Sequence, residues 1–227
     1  MAEKIRWTPF PDADAVAVEA VRRIVLCAHQ AVRQRGVFRM VLAGGSTPRK
    51  AYRLLAASAV DQSRWYLYYG DERCLPRDNP ERNSCMVEKA WLEGGQIPAE
   101  QIITIPAEAG PETAAGLYET KVRQAVPFDM VLLGMGEDGH TASLFPGHSH
   151  DPGRLVVPVY DAPKPPSQRV SLNYAALAET GSLLVLVTGA GKRDAVRQWR
   201  GSQPLPVSRL ECPGGIDVLL DQDAWDE

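Results

Sequence analysis

The residues best placed to do chemistry lie at the end of a long apolar run. In FDMVLLGMGEDGHTASLFPG, residues 128–147, His140 comes just after Asp138 and Gly139, and glycines punctuate the approach. A histidine held at a strand end can face a ligand and exchange a proton near neutral pH, and a carboxylate two residues away can orient its ring. Ser143 follows closely, but no GxSxG elbow surrounds it, so a covalent acyl-enzyme is not expected. His29, His148 and His150 lack such a setting and read as structural or surface residues.

Three further places can hold an anion. Gly44, Gly45, Ser46 and Thr47, followed by Pro48, form a turn where glycine lets the backbone approach a ligand and a helix start offers free N–H groups. Arg73 follows Gly70, Asp71 and Glu72 after the apolar run WYLYY, in position for a phosphate or a developing oxyanion. Arg169, in PPSQRVSLNY, and Lys192, in VTGAGKRDA, offer a bidentate guanidinium and a point charge. Alone, each has a plain structural reading: a capped turn, an ion-paired loop, a solvated surface charge.

The segments that carry these residues alternate in character. From Asp14 to Arg35, Glu19, Arg22, Arg23, Gln30, Arg33 and Gln34 recur at helical spacing and leave Val18, Val21, Val25, Ala28 and Val32 for burial, with Gly36 as a helix stop. FRMVLAGG reads as a strand, and TPRKAYRLLAAS as a helix with Thr47 as N-cap and Pro48 at its first position. WYLYYG is a strand, DERCLPRDNPERN a polar loop and SCMVEKAWLEGG a helix ended by glycine. IITI, FDMVLLGMG, RLVVPVY, QRVSLNY, SLLVLVTG and IDVLLD are further strands, while PETAAGLYETKVRQAV and AGKRDAVRQWRG are further helices. This alternation predicts an α/β fold with a mostly parallel central sheet and helices on both faces. Ligands in such sheets bind beyond the carboxyl ends of the strands, which is where the candidate residues fall. Prolines between Pro146 and Pro166 mark an irregular loop, not a linker, so residues 1–227 are expected to form a single domain.

Composition narrows the partners. The 25 basic and 28 acidic residues are mixed along the chain, giving a net charge of −3 that argues against nucleic acid but says nothing against a small anion. Cys27, Cys74, Cys85 and Cys212 show no close metal-ligand spacing and read as reduced thiols, so no metal and no disulfide are expected. The first apolar stretch, from Ala13 to Val32, is broken by Asp14, Glu19, Arg22, Arg23 and His29 and suits neither a signal peptide nor a membrane span. A cytoplasmic protein without membrane contact or an obligate protein partner is the expectation.

Taken together, GGSTP, GDERC with RDNPERNSCM, GMGEDGHTASLFPG, PPSQRVSL and VTGAGKRDA follow the order and rough intervals of bacterial 6-phosphogluconolactonases, and the resemblance runs from about Trp7 to Trp225. It implies a Rossmann-like sheet related to that of glucosamine-6-phosphate deaminases, and a cofactor-free hydrolase of a sugar-phosphate lactone in the oxidative pentose phosphate pathway. By the same resemblance, His140 matches the general base and Asp138 the carboxylate beside it. Arg73, Arg169 and Lys192 match basic residues lining the sugar-phosphate pocket, and Gly44, Gly45, Ser46 and Thr47 match the glycine-rich turn. PPSQR stands where the family often has three prolines before its arginine, and GAGK where GEAK is more usual, which touches only loop shape. The expected mechanism has the phosphate on the turn, Lys192 and one or both arginines, His140 activating water, and Arg73 or backbone donors on the oxyanion.

Two other readings compete. A glucosamine-6-phosphate deaminase or isomerase typically carries a second acid after the histidine, in a phenylalanine, asparagine, glutamate run, where this chain reads TASLFPG. A non-catalytic sugar-phosphate sensor would need a DNA-reading element, and no helix-turn-helix with a basic face precedes the first helix. From the cysteine and ligand spacing, catalysis is expected to survive both EDTA and reducing buffer. Loss in chelator that zinc or magnesium restores would reveal a metal site.

Overall fold

The computed structural model describes residues 5–225. Its elements follow in the order β1 (Ile5–Phe10), α1 (Ala13–Arg35), β2 (Phe38–Leu42), α2 (Ser46–Ala56), β3 (Trp65–Tyr69), β4 (Asp71–Arg73), α3 (Asn83–Ala90), β5 (Ile102–Ile103), α4 (Pro111–Ala125), β6 (Met130–Gly134), β7 (Val156–Val159), β8 (Arg169–Leu172), α5 (Tyr174–Ala178), β9 (Leu183–Val187), α6 (Arg193–Arg200) and β10 (Ile216–Asp221). Seven strands form a central sheet in the order β1-β10-β9-β6-β2-β3-β5, and every pairing in it is parallel. All five residues of β9 are buried, as expected of a parallel sheet covered on both faces. The expected α/β fold with a parallel central sheet flanked by helices is therefore the one observed. Among the described residues no helix is long and apolar enough to cross a membrane.

Local chemistry explains the helix ends. The Asp12 carboxylate accepts from the backbone N–H groups of Asp14 and Ala15 at 3.0 and 2.8 Å, and Gly36 stops α1 at φ 77° with its N–H on the Val32 carbonyl. The fully buried face of α1 is Val16, Ala17, Ala20, Ile24, Ala28 and Ala31; of the residues expected inside, Ala28 is buried, Val21, Val25 and Val32 pack half-buried against the core, and Val18 alone is out, 58% exposed. The alanines let the helix axis approach its neighbours closely.

The strands RLVVPVY and QRVSLNY do not join the parallel sheet. β7 and β8 pair antiparallel, and β4, inside the segment read as a polar loop, adds to β8 to give a separate sheet in the order β4-β8-β7. Pro158 is accommodated because β7 is an edge strand. Apolar residues of both sheets, such as Val131 and Leu184 in one and Val170 and Leu172 in the other, share one hydrophobic core.

A buried carboxylate ties β4 to α3. Glu72 is 1% exposed; its oxygens accept from the backbone N–H groups of Arg73 (2.8 Å), Asn83 (2.7 Å) and Ser84 (2.8 Å). It thereby caps α3, whose own N-cap Arg82 supplies no side-chain acceptor. Arg82, itself 2% exposed, lies 3.4 Å from Glu72 and bonds to Glu108 and the Ile105 carbonyl, both at 2.8 Å. Removing one member of such a pair strands the other, so Glu72→Ala is expected to cost about 3 kcal/mol or more. At this chain length that is a fall in Tm of roughly 10 °C. A wild-type melting curve would overturn the assignment.

Candidate active site

β6 delivers His140. Past Gly134 the chain folds back: Thr141 Oγ1 donates to the Gly134 carbonyl at 2.9 Å and the Gly136 N–H to the His140 carbonyl at 2.8 Å. A Cβ on Gly136 would lie 2.0 Å from His140 Nδ1 and 2.5 Å from Asp138 Oδ1, so glycine alone leaves room for the pair. Nδ1 sits 2.5 Å from Asp138 Oδ1, which also accepts the His140 backbone N–H at 3.2 Å. With Nδ1 engaged by a carboxylate, Nε2 is the nitrogen free to take a proton. Partial burial works to raise the Asp138 carboxyl, but the attraction and hydrogen bonds of His140 prevail and hold it below the ordinary aspartate value. His140 lines a cavity of about 430 Å³ at the carboxyl ends of the strands.

The start of α2 opens onto the same cavity. The helix begins at Ser46 with Gly45 as N-cap at φ 103°, so Thr47 is not the cap; no side chain caps this end. The Thr47 hydroxyl instead meets that of Thr188 at 2.5 Å. The helix starts early because its first-turn N–H groups have no partner inside the helix to lose, and Pro48, lacking one, fits there. Gly44 is needed for contact rather than rotation: a Cβ would lie 2.1 Å from Asn83 Oδ1.

Lys192 ends the short turn Ala190–Lys192 after β9. Asp221 sets that turn, accepting the Gly189 N–H through both oxygens at 2.9 and 3.0 Å. Burial lowers the Lys192 amine from the ordinary lysine value; Glu137 opposes this and Lys164 adds to it.

Arg73 and Arg169 line the cavity from the second sheet, as directly opposed residues of β4 and β8. Arg73 Nη1 donates to the Glu81 carbonyl. Arg169, 5% exposed, donates to the carbonyls of Pro166 (3.1 Å) and Lys164 (2.9 Å) and lies over the Phe145 ring at 5.5 Å. That ring is 4.7 Å from the His140 imidazole, so one aromatic side chain supports both. Burial lowers the Arg169 guanidinium from the ordinary arginine value, Asp71 opposing and Arg73 adding. Ser143 is fully buried and donates to Asp71 Oδ2 at 2.6 Å, a structural bond in keeping with the absence of an elbow.

The structure thus brings Gly44, Gly45, Ser46, Thr47, Arg73, His140, Arg169 and Lys192 to one cavity, with Asp138 behind the histidine. It adds Lys164, Thr188 and Asn83, which sequence reading passed over, and Asp71, which it named only as a neighbour of Arg73. Lys164 sits in a proline-rich loop, and its one sequence signal is standing five residues before Arg169.

Comparison with known proteins identifies the family and the fold. The family described as glucosamine-6-phosphate isomerases/6-phosphogluconolactonase matches residues 11–219. A 6-phosphogluconolactonase of Mycobacterium tuberculosis is 37% identical over 237 residues, covering 95% of each chain. The crystal structure of 6-phosphogluconolactonase from Thermotoga maritima superposes with a TM-score of 0.90 at 25% identity, covering 96% of this chain and 100% of that one. A monomeric glucosamine-6-phosphate deaminase superposes with a TM-score of 0.81 at 20% identity over 97% and 98% of the two chains, a likeness of fold alone.

Since any side chain at residue 136 would collide with the His140 ring, Gly136→Ala is expected to keep the wild-type far-ultraviolet circular dichroism but lose the downfield proton resonance of the His140–Asp138 hydrogen bond. Persistence of that resonance would contradict the packing described.

Proposed function

The chain belongs to the glucosamine-6-phosphate isomerase/6-phosphogluconolactonase family, and we propose that it hydrolyses 6-phospho-D-glucono-1,5-lactone to 6-phospho-D-gluconate with His140 as general base. One observation carries the reading: a carboxylate-oriented imidazole on the wall of a cavity that basic side chains enter from several elements. The phosphate is held by the open N–H groups at the start of α2 and by the cations Lys192 and Lys164. Anchoring this remote group orients C1 near His140, so binding energy is spent on positioning.

Neutral His140 takes a proton from water as its oxygen attacks C1. The imidazolium so formed faces the Asp138 carboxylate, and guanidinium donors stabilise the oxyanion. The C1–O5 bond then breaks and the proton passes to the leaving ring oxygen. A δ-lactone is reactive enough for a single base to suffice. The deaminase alternative lacks its second acid, since residues 141–147 contain no aspartate or glutamate. This reading carries with it a place in the oxidative pentose phosphate pathway and a cytoplasmic setting.

His140→Ala is expected to fold normally and to lose about 10²- to 10⁴-fold in kcat/KM, the range for a positioned general base, once spontaneous hydrolysis is subtracted. Wild-type activity in this variant would sink the mechanism. The Asp138 carboxyl lies below its ordinary value, so it stays charged at neutral pH, where it orients the ring. Asp138→Asn is expected to reduce kcat/KM, because an amide holds Nδ1 less strongly than a carboxylate; an undiminished rate would detach Asp138 from the base. Lys192→Ala is expected to raise KM and weaken inhibition by inorganic phosphate with little change in Tm. Unchanged KM with lost stability would make Lys192 a structural residue.

A further inference from the structure

The tip of the β7–β8 hairpin, residues 160–168, is poorly equipped to hold its own shape. Pro163, Pro165 and Pro166 have no N–H, so this stretch carries more carbonyl acceptors than backbone donors. The Ala162 N–H closes the tip on the Ser167 carbonyl at 3.0 Å. Beneath it, Val159 and Ala162 pack with Phe145 in a small apolar cluster separate from the main core. The missing donors come from one side chain. Arg169 donates from Nε to the Pro166 carbonyl at 3.1 Å, and from Nη2 to those of Lys164 at 2.9 Å and Pro165 at 3.4 Å. It is 5% exposed and rests over the Phe145 ring.

The Nε–Nη2 edge, the side of a guanidinium that grips an oxyanion with two parallel bonds, is therefore occupied by the chain itself. What the tip presents to the cavity is Lys164 and Pro165. The Lys164 charge is felt at Lys192, whose amine it lowers, in keeping with two ammonium groups on one space. We infer that Arg169 is a positioning residue that braces the hairpin tip so that Lys164 meets the phosphate, acting on the ligand through Lys164 and not by contact with it. The inference rests on the reading of the cavity as a sugar-phosphate site. A planar fork can bridge successive carbonyls, which an ammonium on a flexible stem cannot match. Without the brace, a tip seated on so small a cluster opens locally, and Lys164 loses its fixed place.

A double-mutant cycle on the intact protein, read by calorimetric titration with inorganic phosphate, tests this. Lys164→Ala is expected to weaken binding about tenfold, the loss of one charge-assisted bond. Arg169→Lys, which keeps the charge and loses the fork, is expected to weaken it about fivefold. The double variant is expected to lie within about twofold of Lys164→Ala alone, because the brace then has no cation left to place. Tyr160, 49% exposed at the tip, gives a second readout. Chymotrypsin is expected to cut after it several-fold faster in Arg169→Lys than in the wild type, with cleavage elsewhere unchanged. Factors that multiply in the double variant, an unaltered Kd in either single variant, or an unaltered cutting rate at Tyr160 would each overturn the assignment. If Arg169→Lys does not fold, Phe145→Leu, which removes the seat of the tip and leaves both cations, takes its place in the cycle. Failure of the underlying reading would appear separately, as a wild type that neither binds phosphate nor accelerates lactone loss.

Discussion

Two neighbouring carboxylates cut off from water hold the site together. Asp71 and Glu72 are 7% and 1% exposed, and a strand sends consecutive side chains to opposite faces. Buried carboxylates must be met by donors, and here the donors come from both sides of β4. Asp71 gathers Asn83 and Ser143, the latter from the loop that carries His140; Glu72 gathers the start of α3 and Arg82. Just before them, Gly70 donates its N–H to Leu42 at 2.9 Å and accepts from Leu172 at 2.7 Å, joining both sheets at one residue. A cavity walled by two sheets needs such a weld, because no strand of one sheet pairs with a strand of the other.

Strain is held at the same place. Ala142 adopts φ 47°, a left-handed conformation that costs a non-glycine residue roughly 1 kcal/mol. Its neighbours fix it, Thr141 through the Gly134 carbonyl and Ser143 through Asp71. The conformation lets three consecutive residues serve different ends: two bind the scaffold, and the one between lines the cavity.

What the sequence made legible was whatever local pattern controls. Apolar runs bounded by glycine located β2, β3, β6, β9 and β10, and the glycine-flanked His140 stood out because its surroundings are contiguous in the chain. Tertiary context decided the rest. β1, IRWTPF, is a half-exposed edge strand with no apolar run to announce it, and three successive charges disguised β4. β7 and β8 read like strands of the main sheet because burial, not partner direction, dictates their composition. The convergence of residues 73, 164, 169 and 192 has no spacing to reveal it: each is an unremarkable surface cation until the crossovers bring it to the same rim. Thr47 was misplaced as a cap because its true partner, Thr188, lies 141 residues away.

The pairing of β1 with β10 adds a constraint in time. Ile5–Phe10 lies in register along Ile216–Asp221 at the edge of the sheet, and Arg6 bonds to Asp217 across 211 residues. On a ribosome, β1 emerges before the other described strands and its neighbour β10 after them, so this edge cannot close until nearly all the described chain has been made. The two strands that bring Lys192 and its organising Asp221 to the cavity, β9 and β10, are also the last to arrive. A chain that stops before β9 therefore contains the His140 loop but lacks Lys192, so the set of cations lining the cavity is completed only after the loop that carries the histidine has been made.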